Sequence, residues 1–317
     1  MIKKIIFDTD LGGDIDDGGA LAIIHQAINK GLCELLLCTS STSNPHSVPA
    51  IDAINEYYGH KVVVGGTKII PEGETINRSQ YLKNCDTWYG KYVSENYKHT
   101  YTKDNCPDAV KVLRKVLSEN ISDNPDERVT IIVVGTSTNI KGLLESKADE
   151  YSNLDGVELV RNSVKEISLM GCFFPSDELP DVWFGDFHME SENNINQDIG
   201  AAKCVFTKSP VKVVVSHFTP GYKTITGKLI SKESDLNPVS ASYRRFFDGL
   251  RPSWDPISAY YAIYGVGEFL TISEPMEIKI DDKGVSTYEY KKDGLHYLLN
   301  CKSYDKAKDI LNKSMVK

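Results

Sequence analysis

The chain begins with a dense group of carboxylates, Asp8 to Asp17, and this feature constrains its fold and chemistry most. Five Asp side chains fall within ten residues there, directly after the apolar run Ile5-Ile6-Phe7 and shortly before a mostly apolar helical pattern, Ala20–Ile28. Like charges at close range raise one another's pKa, and a divalent cation is the simplest relief of that repulsion. Hard oxygen ligands on a glycine-containing loop suit such an ion. We therefore interpret residues 5–17 as a strand, loop and helix start that bind a metal.

The rest of the chain alternates apolar runs of strand length with helical patterns. Uninterrupted apolar strands are typical of a parallel sheet that helices cover on both faces. After residue 268 the pattern changes to short alternating strands, which predicts a small β-rich addition at the C-terminal end. No linker or repeat interrupts the sequence, so we expect one α/β domain over residues 1–317 with an open, mostly parallel sheet. The predicted core strands are 34–39, 61–65, 129–134, 166–170 and 211–215.

Two segments, 66–105 and 172–191, are rich in aromatic residues and show little periodicity. Long stretches without clear elements often form lids or binding loops. In open α/β sheets, ligands bind beyond the carboxyl ends of the strands. Because several polar features fall at such ends, we expect a binding site along one edge of the sheet. These features are the Asp cluster, Ser43-Asn44, Val134-Gly135 and the segment 171–194.

The composition limits the partners that this protein can have. The net charge is -8 and no cluster of Lys or Arg stands out, which argues against a nucleic-acid partner. Seven Cys residues without C-x-x-C spacing argue against both a disulfide framework and a zinc ribbon. The sequence shows neither a signal peptide nor an apolar run of the roughly 18 residues that span a membrane. We expect a soluble cytoplasmic protein that acts on a neutral or cation-bridged small molecule.

The Asp cluster matches three known arrangements to different degrees. An EF-hand loop counted from Asp8 would place Gly19 where the bidentate Glu belongs, so that arrangement fails. Phosphotransferases of the haloacid dehalogenase type also begin with an apolar strand and D-x-D, but Gly12 stands where they usually carry Thr or Val. Nucleoside hydrolases carry D-T-D-x-G-x-D-x-D-D-x-x-A-L, and residues 8–21 read D-T-D-L-G-G-D-I-D-D-G-G-A-L. The chain therefore resembles the inosine-uridine preferring nucleoside hydrolase family.

Further motifs of that family follow in the same order along the chain. The family has an Asn after its second strand, and Asn44 stands there, although Ser43 replaces the common Gly. Five ordered matches make accidental similarity improbable, and the resemblance implies a Rossmann-like nucleoside hydrolase fold. The other four matches are Gly135–Asn139 for G-P-L-T-N, Met170–Cys172 for M-G-G, Glu192, Asn194 and Asp198 for E-x-N-x-x-x-D, and Trp254-Asp255 for the final His-Asp or Trp-Asp.

The resemblance implies a Ca²⁺ ion bound by Asp10, Asp17, Asp255 and the backbone carbonyl oxygen of Val134. Water and two ribose hydroxyls would complete the roughly six to eight oxygen ligands that calcium prefers. A set of oxygen ligands alone does not distinguish Ca²⁺ from Mg²⁺. The metal assignment therefore depends on the family resemblance.

The resemblance also implies a set of sugar-binding residues. Asp16 and Asn194 would hydrogen-bond the ribose, Glu192 would contact its 5′ side, and Asn44 would face the sugar. The Asp loop is two residues longer than the shorter form of the family motif, D-x-D-x-G-x-D-D, so Asp14 competes with Asp16 for the ribose role. Alignment from the following Ala-Leu favours Asp16. The alternative for Glu192 and Asn194 is a helix N-terminal cap ahead of 197–207, which Asn196 or Asp198 could also provide.

Position 254 departs from many family members, which carry a His that could protonate the leaving base. Trp254 cannot donate a proton usefully, but its ring could stack on a purine, as in the purine-preferring branch that this Trp-Asp pair resembles. The alternative is a core aromatic residue beside a ligand. Trp88 or a Tyr in the 81–101 loop could cover the other face of the base. His188 and His217 lie near predicted strand ends, and we interpret both as structural.

The resemblance implies hydrolysis of the N-glycosidic bond of ribonucleosides to free base and ribose. In this hypothesis the metal lowers the pKa of a bound water, and Asp10 accepts its proton as general base. One alternative is a dehalogenase-type phosphohydrolase with Asp8 as covalent nucleophile. Another is a pentoside-binding relative that keeps the metal site without catalysis. By resemblance we also expect a homo-oligomer, a dimer or a tetramer.

Overall fold

The protein is built around a ten-stranded sheet. The computed structural model describes residues 2–69, 85–174 and 190–317, and the backbone of 183–184 and 187–188. Seven strands of the sheet are parallel neighbours. In their order across the sheet they are β3 (Val64–Gly66), β2 (Cys33–Ser40), β1 (Lys3–Thr9), β4 (Val129–Val133), β5 (Val164–Met170), β8 (Lys212–Ser216) and β14 (His296–Cys301). The predicted strands are therefore present, with ends shifted by up to three residues.

The predicted β-rich addition is continuous with this sheet. Strand β14 joins the parallel strands beside β8, and antiparallel strands then extend the sheet beyond it. The antiparallel strands are β11 (Leu270–Ile272), which the sequence pattern did not indicate, β12 (Met276–Ile280) and β13 (Ser286–Tyr290). Short two-stranded pairs form β6 (Trp183–Phe184) with β7 (Phe187–His188) and β9 (Ile225–Thr226) with β10 (Arg251–Pro252).

Helices cover both faces of the sheet, as predicted. Successive residues of β1 point to opposite sides, so Ile5 and Phe7 belong to one buried apolar cluster and Ile6 to the other. On the Ile5 side lie α1 (Asp16–Asn29), α2 (Ser47–Tyr57), α3 (Tyr89–Asn96), α10 (Pro238–Phe247), α11 (Trp254–Tyr264) and α12 (Tyr304–Ser314). On the Ile6 side lie α4 (Ala109–Ser118), α5 (Thr138–Glu145), α6 (Gly156–Ser163) and α8 (Ile199–Lys208).

Several helix boundaries differ from the sequence prediction. Helix α1 begins at Asp16 rather than at Ala20, because Gly18 and Gly19 continue the helix instead of ending the loop. Helix α6 was missed, and α3 lies inside the segment expected to lack regular structure. The helix predicted over 197–207 corresponds to α8, and the short helix α7 (Asn193–Gln197) precedes it. Helix α9 (Phe218–Lys223) follows strand β8 and leads into β9.

Strand β1 occupies the position where the order of the sheet reverses. The chain continues from β1 to β2 on one side, and β4 pairs with β1 on the other side. Loops that leave the sheet at such a point diverge and open a crevice at the carboxyl ends of the strands. The loop between β1 and α1, which carries the Asp cluster, therefore lies at the position where α/β sheets bind their ligands.

Two expectations about the chain can be compared directly with the described residues. All seven Cys residues have free thiols, in agreement with the expected lack of a disulfide framework. Within the described ranges, no helix combines the length and the apolar character needed to cross a membrane. Tyr81 and the side chain of His188, both considered in the sequence analysis, lie outside the described residues.

Candidate active site

Three buried carboxylates converge at the crevice. Oxygen atoms of Asp16, Asp17 and Asp255 all lie within 4.8 Å of one another, and each residue is at most 4% exposed. Asp16 and Asp17 are the first two residues of α1, and Asp255 is the second residue of α11, which packs against α1. The positive end of a helix dipole favours carboxylates at such positions. Two helix N-termini thus present their acidic residues to one point.

The negative charges of these buried carboxylates are only partly compensated by neighbouring groups. Burial raises the pKa of Asp16, Asp17 and Asp255, and the neighbouring carboxylates raise it further. Asp10 contributes to this repulsion for all three residues. A divalent cation among these oxygens would reverse that effect, since it favours the ionised form of each group. The donor set consists of hard oxygen atoms and fits Ca²⁺.

The three converging carboxylates differ in one residue from the three carboxylates that were predicted to bind the metal. The sequence assigned Asp10 to the metal and Asp16 to the sugar, whereas the structure groups Asp16 with Asp17 and Asp255. Asp10, 6% exposed, follows β1 at the same strand end. Which of Asp10 and Asp16 contacts the metal stays a prediction.

The end of β4 approaches Asp10 very closely. A Cβ atom on Gly135 would lie 2.4 Å from the backbone nitrogen of Asp10, so only glycine fits there. The preceding residue, Val134, has its carbonyl oxygen 2.9 Å from the Nδ2 of Asn194, which donates a hydrogen bond to it. The structure therefore brings together three predicted site residues from different parts of the chain: Asp10, Val134 and Asn194.

Asn44 carries a buried hydrogen-bond donor without a partner. Its Oδ1 accepts a hydrogen bond from the backbone nitrogen of His46, but its Nδ2 makes no hydrogen bond to any described residue. This Nδ2 atom faces the Asp loop, because a Cβ atom on Gly12 would lie 2.8 Å from it. An unsatisfied buried polar group costs about 1–3 kcal/mol. An oxygen of a bound ligand, such as a sugar hydroxyl, would satisfy it.

The other side of the Asp loop is covered by the N-terminus of α3. The backbone nitrogen of Gly90 donates a hydrogen bond to the carbonyl oxygen of Gly12, with 3.0 Å between the atoms. A Cβ on Gly90 would lie 2.8 Å from the Cα of Gly12, whose φ of +146° is itself in the region that favours glycine. The 66–105 segment thus contains an ordered helix that packs directly on the proposed metal loop.

Glu192 serves as a helix cap as well as lying near the cluster. Its Oε2 accepts a hydrogen bond from the backbone nitrogen of Ile195 and caps α7, while Asp198 caps α8. Glu192 is therefore a cap, but of α7, whereas Asp198 provides the cap of α8, the helix that corresponds to the predicted 197–207. The sugar contacts of Glu192 and Asn194 stay predictions. Burial raises the pKa of Glu192 to about 7, with a contribution from the charge of Asp10. Asn194 makes no cap and turns towards the end of β4 instead.

Trp254 lies in the interior, only 7% exposed. Its Nε1 donates a hydrogen bond to the carbonyl oxygen of Phe218 at 3.0 Å, and the rings of these two residues pack at 5.3 Å. The guanidinium carbon of Arg251 lies over the indole, 5.5 Å from the ring centroid. This placement corresponds to the core aromatic residue considered as an alternative to purine stacking.

Arg251 was missed by the sequence analysis. Its Nε lies 2.8 and 3.0 Å from the two carboxylate oxygens of Asp14, and its Nη2 also bonds Asp14. Asp14 is therefore held by Arg251, whereas Asp16 accepts a hydrogen bond from the backbone nitrogen of Asp255 at 3.1 Å. This pairing agrees with the choice of Asp16 over Asp14 for the ribose. The signal in the sequence was an extra Asp in the loop that required a basic partner.

Two other residues considered from the sequence have structural partners. Asp8 is fully buried, and its Oδ1 accepts hydrogen bonds from Thr39 at 2.5 Å and Asn139 at 2.7 Å. Burial raises its pKa to about 7. His217 lies 3.4 Å from Asn300 through its Nε2, and burial lowers its pKa to about 4. Trp88 directly precedes α3.

The family model for inosine-uridine preferring nucleoside hydrolases matches residues 5–295. The chain belongs to this family. It is therefore a hydrolase that acts on N-glycosyl compounds, and a carboxylate cluster for the family's metal is present at the expected strand end. Among curated proteins, none matches the sequence of this chain.

Solved structures share the fold at low sequence identity. An inosine-guanosine nucleoside hydrolase superposes with a TM-score of 0.68 and 16% identity, covering 99% of this chain and 97% of that one. The type III effector protein XopQ, solved in complex with adenosine diphosphate ribose, gives 0.66 and 14%, with 99% and 92% covered. The effector protein XOO4466 gives 0.66 and 14%, with 100% and 95% covered. These likenesses confirm the predicted fold.

Proposed function

We propose that this protein hydrolyses the N-glycosidic bond of ribonucleosides to free base and ribose in a Ca²⁺-dependent reaction. The observation that carries the proposal is the convergence of Asp16, Asp17 and Asp255, all buried, at the point where the order of the sheet reverses. The unsatisfied Nδ2 of Asn44 beside the same loop supports a hydroxyl-bearing ligand. The name of the inosine-guanosine nucleoside hydrolase that shares the fold supports a preference for purines.

The residues that would hold the ion are Asp10, Asp17, Asp255 and the carbonyl oxygen of Val134, with Asp16 adjacent. When bound, Ca²⁺ lowers the pKa of water beside it and neutralises the clustered carboxylates. Val134 can take part because a carbonyl oxygen has two lone pairs, and Asn194 uses only one of them. Asn194 therefore fixes the direction of this carbonyl without excluding it as a ligand.

The side chains of this protein divide the remaining work of the reaction. Asp10 accepts the proton of the attacking water, which then adds to the anomeric carbon. Asp16, Asn44 and Asn194 hold the ribose hydroxyls, and Glu192 contacts the 5′ side of the sugar. Fixed contacts of this kind orient the anomeric carbon towards the water. The carboxylates stabilise the positive charge that develops on the sugar as the base departs.

The dehalogenase-type alternative is not favoured. It needs Asp8 as an exposed covalent nucleophile, but Asp8 is 0% exposed and bonded to Thr39 and Asn139. It also gives no role to Asp255, which lies in the carboxylate cluster. The pentoside-binding alternative is not favoured by the family either, and it is distinguished by ribose binding in calorimetry without release of base.

The function is tested by measuring release of ribose from inosine, guanosine, uridine and cytidine, with added Ca²⁺ and with a chelator. We expect turnover of at least the purine nucleosides, loss of turnover in chelator, and recovery when Ca²⁺ is restored in excess. Repeating the assay with Mg²⁺ in place of Ca²⁺ shows which of the two ions supports turnover. If metal-loaded protein releases ribose from none of the four nucleosides, the proposal is wrong.

The biological setting follows from the same proposal. We propose that the protein acts in the cytoplasm in nucleoside salvage and purine metabolism, as a dimer or tetramer. Light scattering of the purified protein measures the number of subunits directly. A monomer at micromolar concentration would contradict the proposed assembly without affecting the proposed chemistry.

A further inference from the structure

The proposed reaction leaves one requirement unmet. As the C1′–N9 bond of a purine nucleoside breaks, its electron pair moves to the base, which must be stabilised by a hydrogen bond or a proton. Trp254 stands where other family members carry a His, and its only polar atom donates to the carbonyl oxygen of Phe218. Since the indole is also 7% exposed, it has little free surface for a base.

We propose that Arg251 contacts the departing base and stabilises the negative charge that develops on it. This inference rests on the proposed function and deepens it. The guanidinium lies over the indole of Trp254, the ring that the sequence analysis considered for stacking on the base. The Arg251 and Asp14 side chains are each 32% exposed, and the guanidinium is thus open to a ligand.

The hydrogen bonds of Arg251 leave donors available. Its Nε and Nη2 are used by Asp14, whereas Nη1 makes no hydrogen bond to any residue in the described ranges. Two N–H groups on Nη1 can therefore donate to acceptors on a purine, such as N7 and O6 of hypoxanthine. The two-point pairing with Asp14 fixes the plane and direction of the guanidinium.

The position of Arg251 relative to the sugar site agrees with this role. Arg251 forms β10 with Pro252 and lies four residues before Asp255 of the carboxylate cluster. Its partner Asp14 lies two residues before Asp16, the residue proposed to hold the ribose. The ring of Phe247 also packs against Arg251, with 5.4 Å between its centroid and the guanidinium carbon. Asp14 is accordingly a positioning residue, and Arg251 the group that touches substrate.

The step balances without a further reactant. The C1′–N9 bond breaks, its electron pair goes to the base, and the hydrogen bonds from Nη1 stabilise that charge while Arg251 keeps its proton. Water adds to C1′, its proton goes to Asp10, and the base takes a proton from solvent after release. Arginine stays charged across the working pH range, so this contribution does not titrate.

The test compares substrates that differ in their need for leaving-group stabilisation. Inosine needs it, whereas p-nitrophenyl β-D-riboside has a leaving group that departs as a stable anion. We expect Arg251→Met to lower kcat/KM for inosine on the order of 100-fold and to change that for the nitrophenyl riboside less than about threefold. Arg251→Lys, which keeps the charge but loses the two-point pairing, should fall between wild type and Arg251→Met on inosine.

Two further variants complete the design. Arg245→Met is the matched control, because Arg245 also lies over an aromatic ring, 4.9 Å from the centroid of Tyr92, but outside the proposed site. It should leave both substrates unchanged. Asp14→Asn should raise KM for inosine more than it lowers kcat.

Equal losses on both substrates in Arg251→Met would show a structural role and overturn this inference while leaving the proposed function intact. Unchanged inosine turnover in that variant would overturn it as well. Wild-type protein that cleaves neither substrate would overturn the proposed function itself, and this inference with it.

Discussion

The two ends of α1 bury ionisable side chains in opposite ways. At its start, Asp16 and Asp17 meet Asp255 in a group of buried carboxylates whose pKa values are raised by burial and by one another. Two to three turns later, His25 is equally buried, but both of its ring nitrogens have protein partners. Its Nε2 lies 2.9 Å from the Oδ1 of Asn55, and its Nδ1 lies 2.8 Å from the Nδ1 of His60.

This difference separates a structural polar site from one that awaits a ligand. Burial and the neighbouring His60 lower the pKa of His25 to about 3, so the ring is neutral and needs no counter-charge. Its ring also stacks on Tyr58 at 4.7 Å. The carboxylates at the other end repel one another, although Asp16 accepts a hydrogen bond from the backbone of Asp255 and Asp17 accepts one from Thr9. A polar cluster that the protein satisfies by itself stabilises the fold, whereas an unsatisfied one reserves its interactions for a bound ion.

The largest effect is expected from the proposed general base. Asp10→Asn keeps the shape of the side chain but cannot accept a proton, so kcat for a purine nucleoside should fall by about 10³-fold. Release of ribose under saturating substrate measures this. Asp123→Asn, at an exposed position, is the control and should match wild type. A fall of less than tenfold in Asp10→Asn would assign the base to another residue.

The next effect concerns pH in metal-free protein. Asp8 and Glu192 have pKa values raised to about 7, so they keep protons in the folded state that the unfolded chain has already lost. Their stabilising contribution is present below pH 4 and is lost as the pH rises towards 7 or above. We expect the free energy of unfolding in chelator, measured with urea, to fall on the order of 3 kcal/mol between pH 5 and 8.

Excess Ca²⁺ should oppose this loss, because the folded state alone binds it. At about 100 times its dissociation constant the ion adds roughly 2.7 kcal/mol. A metal-free protein that becomes more stable between pH 5 and 8 would contradict the view that these carboxylates are uncompensated.

The His25 end should behave in the opposite sense. His25→Leu leaves Asn55 and His60 without their shared partner, and we expect it to cost about 1–3 kcal/mol of stability. The activity of the folded fraction should not change, since the site lies at the other end of the helix. His25 is neutral when folded, so its contribution is present above pH 6.5 and lost as the pH falls towards 3. Urea titrations at pH 7 and 5 should therefore converge for variant and wild type at the lower pH.

The smallest expected effect is a gain in stability, and it tests the contrast between the two ends of α1 most directly. Asp255→Asn removes one of the mutually repelling carboxylates, so it should stabilise metal-free protein by about 1 kcal/mol. The same variant should lose the stabilisation by Ca²⁺ that wild type gains. Thermal unfolding with and without the ion measures both changes. Destabilisation in chelator would mean that Asp255 is already satisfied by the protein.

The sequence predicted those parts of the molecule that depend on residues close together along the chain. The Asp8–Asp17 loop follows its strand directly, and residues such as Asn44 and Val134 fall at strand ends, where a parallel sheet brings them together. The strand pattern predicted the fold for the same reason. Helix α3 was missed because it is only eight residues long and buries just Tyr89, Gly90 and Val93, too few positions to show a helical period.

Partnerships between distant residues were not predictable. Arg251 and Asp14 are 237 positions apart, and no motif relates them. His25 appeared only as a polar interruption of an apolar helix, since Asn55 and His60 lie on other segments. The capping role of Glu192 also depends on a helix break at Asp198 that propensity alone does not place.

The contact between Gly12 and Gly90 has a practical consequence for changing what this enzyme accepts. At this contact the main-chain atoms of the two glycines meet, and the backbone nitrogen of Gly90 donates a hydrogen bond to the carbonyl oxygen of Gly12. A different α3 segment grafted onto this scaffold has to keep glycine at this contact and has to replace the packing of Tyr89 and Tyr92 against α10. The chemistry on one side of that contact and the recognition surface on the other are then separately open to redesign.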